Sequence, residues 1–173
     1  MNKILKRDVV YQGRICSLTH NEVEFADGSK GYRDILHLPG AVAILAFKDE
    51  NTLLLVEQYR HAVNETLLEI PAGMLEKGEG KAEAALRELQ EETGYHADKL
   101  EYLTSFYTSP GVVQETLYIY VAHDLHYVGQ HLDDDEFLNV REVSTADFQQ
   151  LILDDKIKDG KSVLAYTYWK LNH

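Results

Sequence analysis

The sequence predicts a mixed α/β protein, and two observations carry this prediction. Short apolar runs, some alternating with polar residues and some bounded by turn residues, recur along most of the chain and indicate strands. Apolar residues spaced by three and four positions mark one helix in the middle of the chain and further helices near its end. A length of 173 residues gives ample room for a folded core.

The first predicted element is a small β meander. Within residues 8–38, pieces such as DVVYQGR and NEVEFADGSKGYRDILHL alternate between apolar and polar positions. The dipeptide Asp27-Gly28 is typical of a tight hairpin between two such strands. We expect residues 1–38 to form this meander, with cover from a second chain, and residues 39–173 to form the main domain.

Three short runs predict the central strands. AVAILAF (41–47) and TLLLVEQY (52–59) are joined by the polar turn KDEN, and LLEI (67–70) ends at the turn PAG. The PAG turn therefore follows directly on a predicted strand.

Residues 81–92 carry the helix in the middle of the chain. An apolar stripe at positions i, i+3, i+4 and i+7 consists of Ala82, Ala85, Leu86 and Leu89. Gly94 is the predicted helix stop, because glycine adopts the left-handed conformation with which many helices end.

The remaining runs predict three more strands and two helices. The strands are LEYLTSFYT, TLYIYVAHDL and FLNVREV. STADFQQLILDD has the pattern of a helix capped by Ser144 or Thr145, and SVLAYTYWKLNH has that of a final helix.

Composition and charge exclude several classes of protein. Hydrophobic residues make up 45% and charged residues 27%, which is typical of a globular protein. A net charge of −12 repels nucleic acids and anionic membranes, so we expect neither as a partner. The longest apolar run is too short to cross a bilayer, and the N terminus shows no secretory-signal pattern. A single cysteine, Cys16, excludes an internal disulfide, and together these features lead us to expect a cytoplasmic setting.

The predicted central helix concentrates carboxylates on one face. Glu88 lies three and four positions before Glu91 and Glu92, so all three side chains can project together. Clustered carboxylates raise one another's pKa unless a cation neutralises them, and Arg87 can serve only part of this charge. Bound Mg²⁺ would supply the rest. The alternative is an ordinary solvated acidic face.

The wider pattern resembles a known family signature. Residues 73–95, here called the box, match G-x5-E-x7-R-E-U-x-E-E-x-G-U, the signature of the Nudix hydrolases, in which U is bulky and apolar and Tyr95 takes the last position. The resemblance implies the Nudix α/β/α sandwich with a mixed sheet, in which the box forms a loop, a helix and a second loop. It further implies hydrolysis of a pyrophosphate bond with Mg²⁺, for which Mn²⁺ can substitute.

Segments outside the box are similar to the ADP-ribose pyrophosphatase branch of this family. They are VEQYRHAV and LLEIPAGMLEKGE up to and into the box, SFYTSPGVVQE after it with Pro110 sixteen residues past Gly94, and the acidic run LDDDEFLNVREVS. The resemblance implies a substrate such as ADP-ribose or a related nucleoside diphosphate sugar, cut to a nucleoside monophosphate and a sugar phosphate. It also implies a homodimer in which the N-terminal strands reach across to the partner.

The resemblance assigns roles to individual residues. The Mg²⁺ ligands would be the backbone carbonyl of Ala72 and the carboxylates of Glu88, Glu91 and Glu92. Glu79 and Arg87 would orient these ligands. Among the catalytic residues, Glu136 is the expected general base, and Asp134 and Glu115 remain open as alternatives.

Arginines and two further glutamates are the candidate substrate-binding residues. The fork of the guanidinium group suits phosphate, which favours Arg33 and Arg60, and Glu69 and Glu115 complete the set. The segment GRICSL offers Ile15 and Cys16 where members of the branch often place an aromatic residue against the base. Tyr11 or Tyr32 could substitute. This departure keeps other sugars, such as those of GDP-mannose and UDP-glucose, open, and a non-catalytic nucleotide sensor is the remaining alternative.

Overall fold

A computed structural model describes residues 3–132 and 136–172. The described residues within Met1–Ala41 and Phe106–Leu117 pack into one compact unit, and those within Val42–Ser105 and Tyr118–His173 pack into a second. In chain order the elements are β1 Lys3–Gln12, β2 Ser17–Glu24, β3 Lys30–His37, β4 Ala41–Asp49, β5 Thr52–Arg60, β6 Glu65–Glu69, β7 Ala72–Met74, α1 Lys81–Thr93, β8 Tyr95–Tyr107, β9 Val113–Gln114, β10 Thr116–Tyr127, β11 Leu138–Ser144, α2 Thr145–Leu153 and α3 Gly160–Asn172. The α/β class and the N-terminal β meander are confirmed.

The first unit is built on a four-stranded sheet with the order β1-β2-β3-β9. The first three strands are antiparallel, and β9 joins β3 in parallel. The predicted hairpin at Asp27-Gly28 is present. Gly28 adopts a φ of 82°, and the Asp27 carboxylate accepts the backbone N–H of Ser29 at 3.0 Å, which closes the turn.

Strand β1 is an edge strand that is exposed along nearly its whole length. It begins at Lys3, five residues before the start of the alternation in the sequence, because Lys3 and Ile4 extend the ladder by pairing with Glu24 and Val23. A strand without a buried face has no need to alternate apolar and polar residues, so its beginning leaves no pattern in the sequence.

The second unit has a seven-stranded sheet whose main path is β11-β5-β4-β10-β8. Strand β4 lies at its centre and is buried from Ala41 to Phe47. A continuous apolar run is what a strand covered on both faces requires. The short strands β6 and β7 pair with β5 and β4 and lead the chain into the box.

Helix α1 packs its buried face against this sheet. Ala84, Ala85 and Leu89 are fully buried in the core, whereas Ala82 is exposed, so the predicted apolar stripe is wrong at its first position. The buried face continues through Glu88 and Glu92 instead. Gly94 ends the helix in the left-handed conformation, as predicted, with a φ of 80°.

The two C-terminal helices lie at the predicted places. Ser144 caps α2 by accepting the N–H of Asp147, which decides between the two predicted caps. Phe148 of α2 is buried and meets the ring of Tyr166 in α3 edge to face. In the described parts of the chain no helix is long and apolar enough to cross a membrane.

Three features of the fold were not predicted. Strand β8 begins directly after the helix stop rather than near residue 100, and β7 and β9 are too short to leave a pattern. Strands of two or three residues are fixed by their neighbours in the sheet rather than by their own sequence.

Candidate active site

The predicted PAG turn continues into strand β7 at Ala72, and this segment before α1 brings backbone and carboxylates into contact. The carbonyl of Pro71 accepts the N–H of Ile44 in β4, which ties the segment to the centre of the sheet. The next N–H, that of Ala72, donates to Oε2 of Glu92 at 2.9 Å. A Cβ atom at Gly73 would overlap the carboxyl atoms of Glu88, so only glycine permits this approach.

Two carboxylates of α1 are buried. Glu88 is 8% exposed and Glu92 only 2%. Burial raises the pKa of Glu88 to about 7, and the negative charges of Glu91 and Glu136 add to this effect against the attraction of Arg87. Burial raises the pKa of Glu92 to about 8 against the lowering effect of its hydrogen bond from Ala72, and the negative charges of Glu88 and Glu136 add to the rise.

Arg87 joins the other carboxylates of the box. Its guanidinium donates from Nε to Glu79 at 2.8 Å and from Nη1 to both Glu88 and Glu91 at 2.9 and 2.7 Å. It also donates to the carbonyl of Met74. The hydrogen bond from Arg87 lowers the pKa of Glu79. Arg87 therefore holds the first loop of the box against the helix.

The donor set fits a hard divalent cation. Carboxylate and carbonyl oxygens are the ligands that Mg²⁺ prefers. Arg87 pairs with Glu88, yet the pKa values of both buried carboxylates stay raised, so a further cation would favour their ionised forms. Within residues 3–132 and 136–172, no three side chains of acidic residues, histidines or cysteines are placed so that together they could hold a metal ion in this conformation. Glu91 and one oxygen of Glu88 are hydrogen-bonded to Arg87.

Glu136 lies near the two buried carboxylates, since its negative charge acts on both of them. Its side chain is partly buried. The structure thus brings the expected base together with Glu88 and Glu92. Asp134, the neighbouring alternative, lies outside the described residues.

The loop after β10 is fastened to the end of α1, which the sequence did not indicate. The side chain of Gln130 donates to the carbonyl of Glu92 at 2.6 Å, and the N–H of His131 donates to that of Glu91. Both carbonyls belong to the last turn of the helix and have no partner within it. Gln130 and His131 therefore hold the start of this loop against the end of the helix that carries Glu91 and Glu92.

Arg60 and Glu69 form a buried ion pair in the second unit. Nε and Nη2 of Arg60 donate to the two carboxylate oxygens of Glu69 at 2.8 and 2.7 Å, and Lys161 donates to one of the same oxygens. Glu69 is 1% exposed, so its carboxylate is occupied by the protein's own cations. Burial alone would raise the pKa of Glu69, but the two cations together lower it. Lys161 was not predicted, because it lies 92 residues away in the sequence.

The other two predicted substrate contacts lie in the first unit. Arg33 is exposed on β3, with its guanidinium carbon 4.9 Å from the centre of the Phe25 ring. Glu115 is partly buried between β9 and β10. The residues brought together in the second unit are Arg60, Glu69, Ala72, Glu88, Glu91, Glu92 and Glu136.

Several known proteins are similar to this chain in sequence or in fold. A methanol dehydrogenase activator from Bacillus methanolicus is 42% identical over 171 residues, which cover 98% of this chain and 92% of that protein. An ADP-ribose pyrophosphatase of Bacillus subtilis (strain 168) is 40% identical with the same coverage of both chains. The crystal structure of an ADP compounds hydrolase superposes with a TM-score of 0.88 at 26% identity, over 98% of this chain and 92% of that one.

These similarities and the box together identify the family of this chain. The model of the NUDIX domain matches residues 37–166, which include the whole box and the loop that carries Glu136. The predicted α/β/α sandwich is confirmed by the superposition. The chain belongs to the NUDIX domain family.

Proposed function

We propose that this protein is a Mg²⁺-dependent pyrophosphatase that hydrolyses ADP-ribose or a related nucleoside diphosphate sugar to a nucleoside monophosphate and a sugar phosphate. The observation that carries the proposal is the pair of buried carboxylates, Glu88 and Glu92, against the Gly73 turn with Glu136 nearby. The Bacillus subtilis relative, named for ADP-ribose hydrolysis, supports the substrate class.

In this proposal the metal is held by Glu88, Glu91, Glu92 and the carbonyl of Ala72, and Mn²⁺ can replace Mg²⁺. The bound cation neutralises phosphate charge and lowers the pKa of water. Arg87 and Glu79 keep the carboxylates in place. Arg60, Arg33 and Glu115 are the proposed contacts to phosphate and sugar, and Glu69 acts beside Arg60.

A substrate panel tests the substrate class. We expect ADP-ribose to be cleaved faster than ADP-glucose, UDP-glucose, GDP-mannose and dinucleoside polyphosphates, measured as phosphate released after phosphatase coupling. Faster cleavage of GDP-mannose or UDP-glucose would reassign the preferred sugar. If no compound is cleaved with Mg²⁺ or Mn²⁺ while a nucleotide binds tightly, the protein is a sensor and the proposal is wrong.

We further propose Glu136 as the general base that takes the proton from the attacking water. We expect Glu136→Gln to lower kcat by at least about 100-fold, the usual contribution of a positioned base, with KM nearly unchanged. Asp134→Asn and Glu115→Gln are the matched variants, since both residues are alternative bases. A large loss of kcat in one of them, with Glu136→Gln fully active, would move the role to that residue.

We also propose a homodimer formed through the N-terminal meander, with residues 1–38 and 39–173 as its two domains. Strand β1 is an edge strand, and its apolar side chains Ile4, Val9, Val10 and Tyr11 are between 46% and 60% exposed. An exposed edge strand of this kind can pair with a strand of another chain. Sedimentation should give twice the chain mass of 19.8 kDa, and a variant without residues 1–38 should remain monomeric.

A cytoplasmic location remains part of the proposal. The cysteine content supports this location, because Cys16 is the only cysteine and is a free thiol, as is usual in a reducing compartment. Fluorescence of a tagged protein in living cells tests it.

A second candidate function follows from the Bacillus methanolicus relative, whose name is methanol dehydrogenase activator. That similarity covers nearly the whole of both chains, as the similarity to the pyrophosphatase does, at 42% against 40% identity. Both functions can reside in one protein. A methanol dehydrogenase assayed with wild type and with Glu92→Gln decides whether any activation depends on the proposed site.

A further inference from the structure

Four charged side chains form a cluster beside the box turn, here called the Glu69 cluster: Arg60, Glu69, Asp159 and Lys161. Its two positive and two negative charges balance. The side chains of Glu69, Lys161 and Asp159 are only 2%, 11% and 16% exposed, whereas that of Arg60 is 38% exposed. Charges buried to this degree must be paired with good geometry, and Arg60 is the member that remains open to solvent.

The cluster fixes the orientation of Arg60. Because Nε and Nη2 both donate to Glu69, the guanidinium plane cannot rotate. Nη1 has no hydrogen-bond acceptor among the described residues, so one edge of the fork is available to a ligand. The hydrogen bonds that Arg60 donates to Glu69 are the main reason that the pKa of Arg60 is raised, and the negative charge of Glu92, a proposed metal ligand, adds to this effect.

The first turn of α3 supports the same region through the backbone. Ser162, which is fully buried, accepts the N–H of Ile70 at 2.9 Å and donates its own hydroxyl proton to Asp159. Ile70 follows Glu69 and comes two residues before Ala72, whose N–H binds Glu92. Residues 159–162 therefore hold both the carboxylate that orients Arg60 and the strand end that leads into the box.

We propose that Lys161 is a positioning residue that presents the free edge of Arg60 to a substrate phosphate, acting through Glu69. The inference deepens the proposed function and rests on it for the identity of the substrate. Lys161 contacts both Glu69 and Asp159 and supplies the second positive charge, which makes the cluster neutral. Without Lys161 the cluster has a net charge of −1, which repels phosphate and leaves a buried carboxylate free to pull Arg60 out of position.

The test compares Lys161→Met with three other variants. Lys161→Arg keeps the charge, Lys158→Met removes an exposed lysine three residues earlier, and Glu69→Gln/Lys161→Met removes both partners and restores neutrality. We expect Lys161→Met to raise KM for ADP-ribose about tenfold, the effect of one hydrogen bond to a charged group, with kcat changed much less. Lys161→Arg should recover most of the loss, and Lys158→Met should match wild type.

The double variant separates positioning from folding. If Lys161 only compensates a buried charge, the double variant regains both a native Tm and a native KM, and the inference is wrong. If Lys161 and Glu69 orient Arg60, Tm recovers while KM stays about tenfold raised, because a neutral amide holds the guanidinium less firmly. If Lys161→Met alone does not fold, the neutral double variant still tests the inference, because a native KM without the Lys161 contact overturns it.

Binding of inorganic pyrophosphate, measured by calorimetry in EDTA, keeps the inference apart from the proposed function. If wild type does not cleave ADP-ribose but binds pyrophosphate about tenfold more tightly than Lys161→Met, the proposed function is wrong and the inference stands. Equal affinities in the two folded proteins, or no binding by wild type, would overturn the inference.

Discussion

The Glu92→Gln variant should lose about 1000-fold in kcat for ADP-ribose with Mg²⁺ present, because a lost metal ligand removes several kcal/mol of transition-state stabilisation. The amide retains an oxygen that can accept the N–H of Ala72, so the turn should keep its shape. Only the negative charge, which the metal needs, is removed.

Stability distinguishes this loss from misfolding. Glu92 is a buried carboxylate with a pKa of about 8, so at pH 8 and above the metal-free wild type must hold an ionised group in an apolar place. The metal-free Glu92→Gln protein should therefore unfold at a higher temperature than wild type at pH 8.5, although it is inactive. Glu83→Gln, an exposed residue of the same helix, is the matched control and should change neither property. Full activity of Glu92→Gln would rule out Glu92 as a metal ligand.

Metal-free protein should become less stable as the pH rises from about 5 to about 8. The pKa values of Glu88 and Glu92 in the folded protein are about 7 and about 8, against an ordinary value of 4.5. Between about pH 5 and the raised pKa of each group, the unfolded chain has released both protons while the folded chain still retains them. Raising the pH therefore favours unfolding. The free energy of unfolding should fall by on the order of 5 kcal/mol across this window.

Urea unfolding at several pH values, in EDTA and in Mg²⁺, measures this effect. Mg²⁺ binds the ionised carboxylates, so it should restore stability at pH 8 and flatten the dependence. The Glu88→Gln/Glu92→Gln variant should show little dependence in either buffer. Glu69 and Glu79 do not interfere, because their pKa values are lowered and they titrate below the window. An unchanged slope in the double variant would show that other groups cause the dependence.

The chemistry of the box could be predicted because it is local in sequence. Its ligand candidates lie on one helix and the loop before it, and helical spacing alone places Glu88, Glu91 and Glu92 together. Sequence could not show that Glu88 and Glu92 face the protein interior while Glu91 turns to Arg87. The apolar spacing predicted Ala82 on the buried face instead, because periodicity does not distinguish a buried carboxylate from a solvated one.

Contacts between distant segments could not be predicted. Lys161 meets Glu69, and Gln130 meets the last turn of α1, across 92 and 38 positions of the chain. The sequence around Lys161 and Gln130 gives no sign of these contacts, because a lysine at the start of a helix and a glutamine in a loop are common on protein surfaces. For Glu69 the sequence suggested a contact to substrate, and that role stays a prediction, now with both of its oxygens held by protein cations.

The Glu69 cluster has a consequence for how the protein matures during translation. Lys161 and Ser162 are each synthesised 92 residues after their partners Glu69 and Ile70. Until these two emerge from the ribosome, Glu69 has only one of its two cations and Ile70 lacks its hydroxyl partner. A nascent chain can therefore form α1 before the Glu69 cluster is complete, and we expect fragments that end before α3 to bind pyrophosphate more weakly than the chain that includes it.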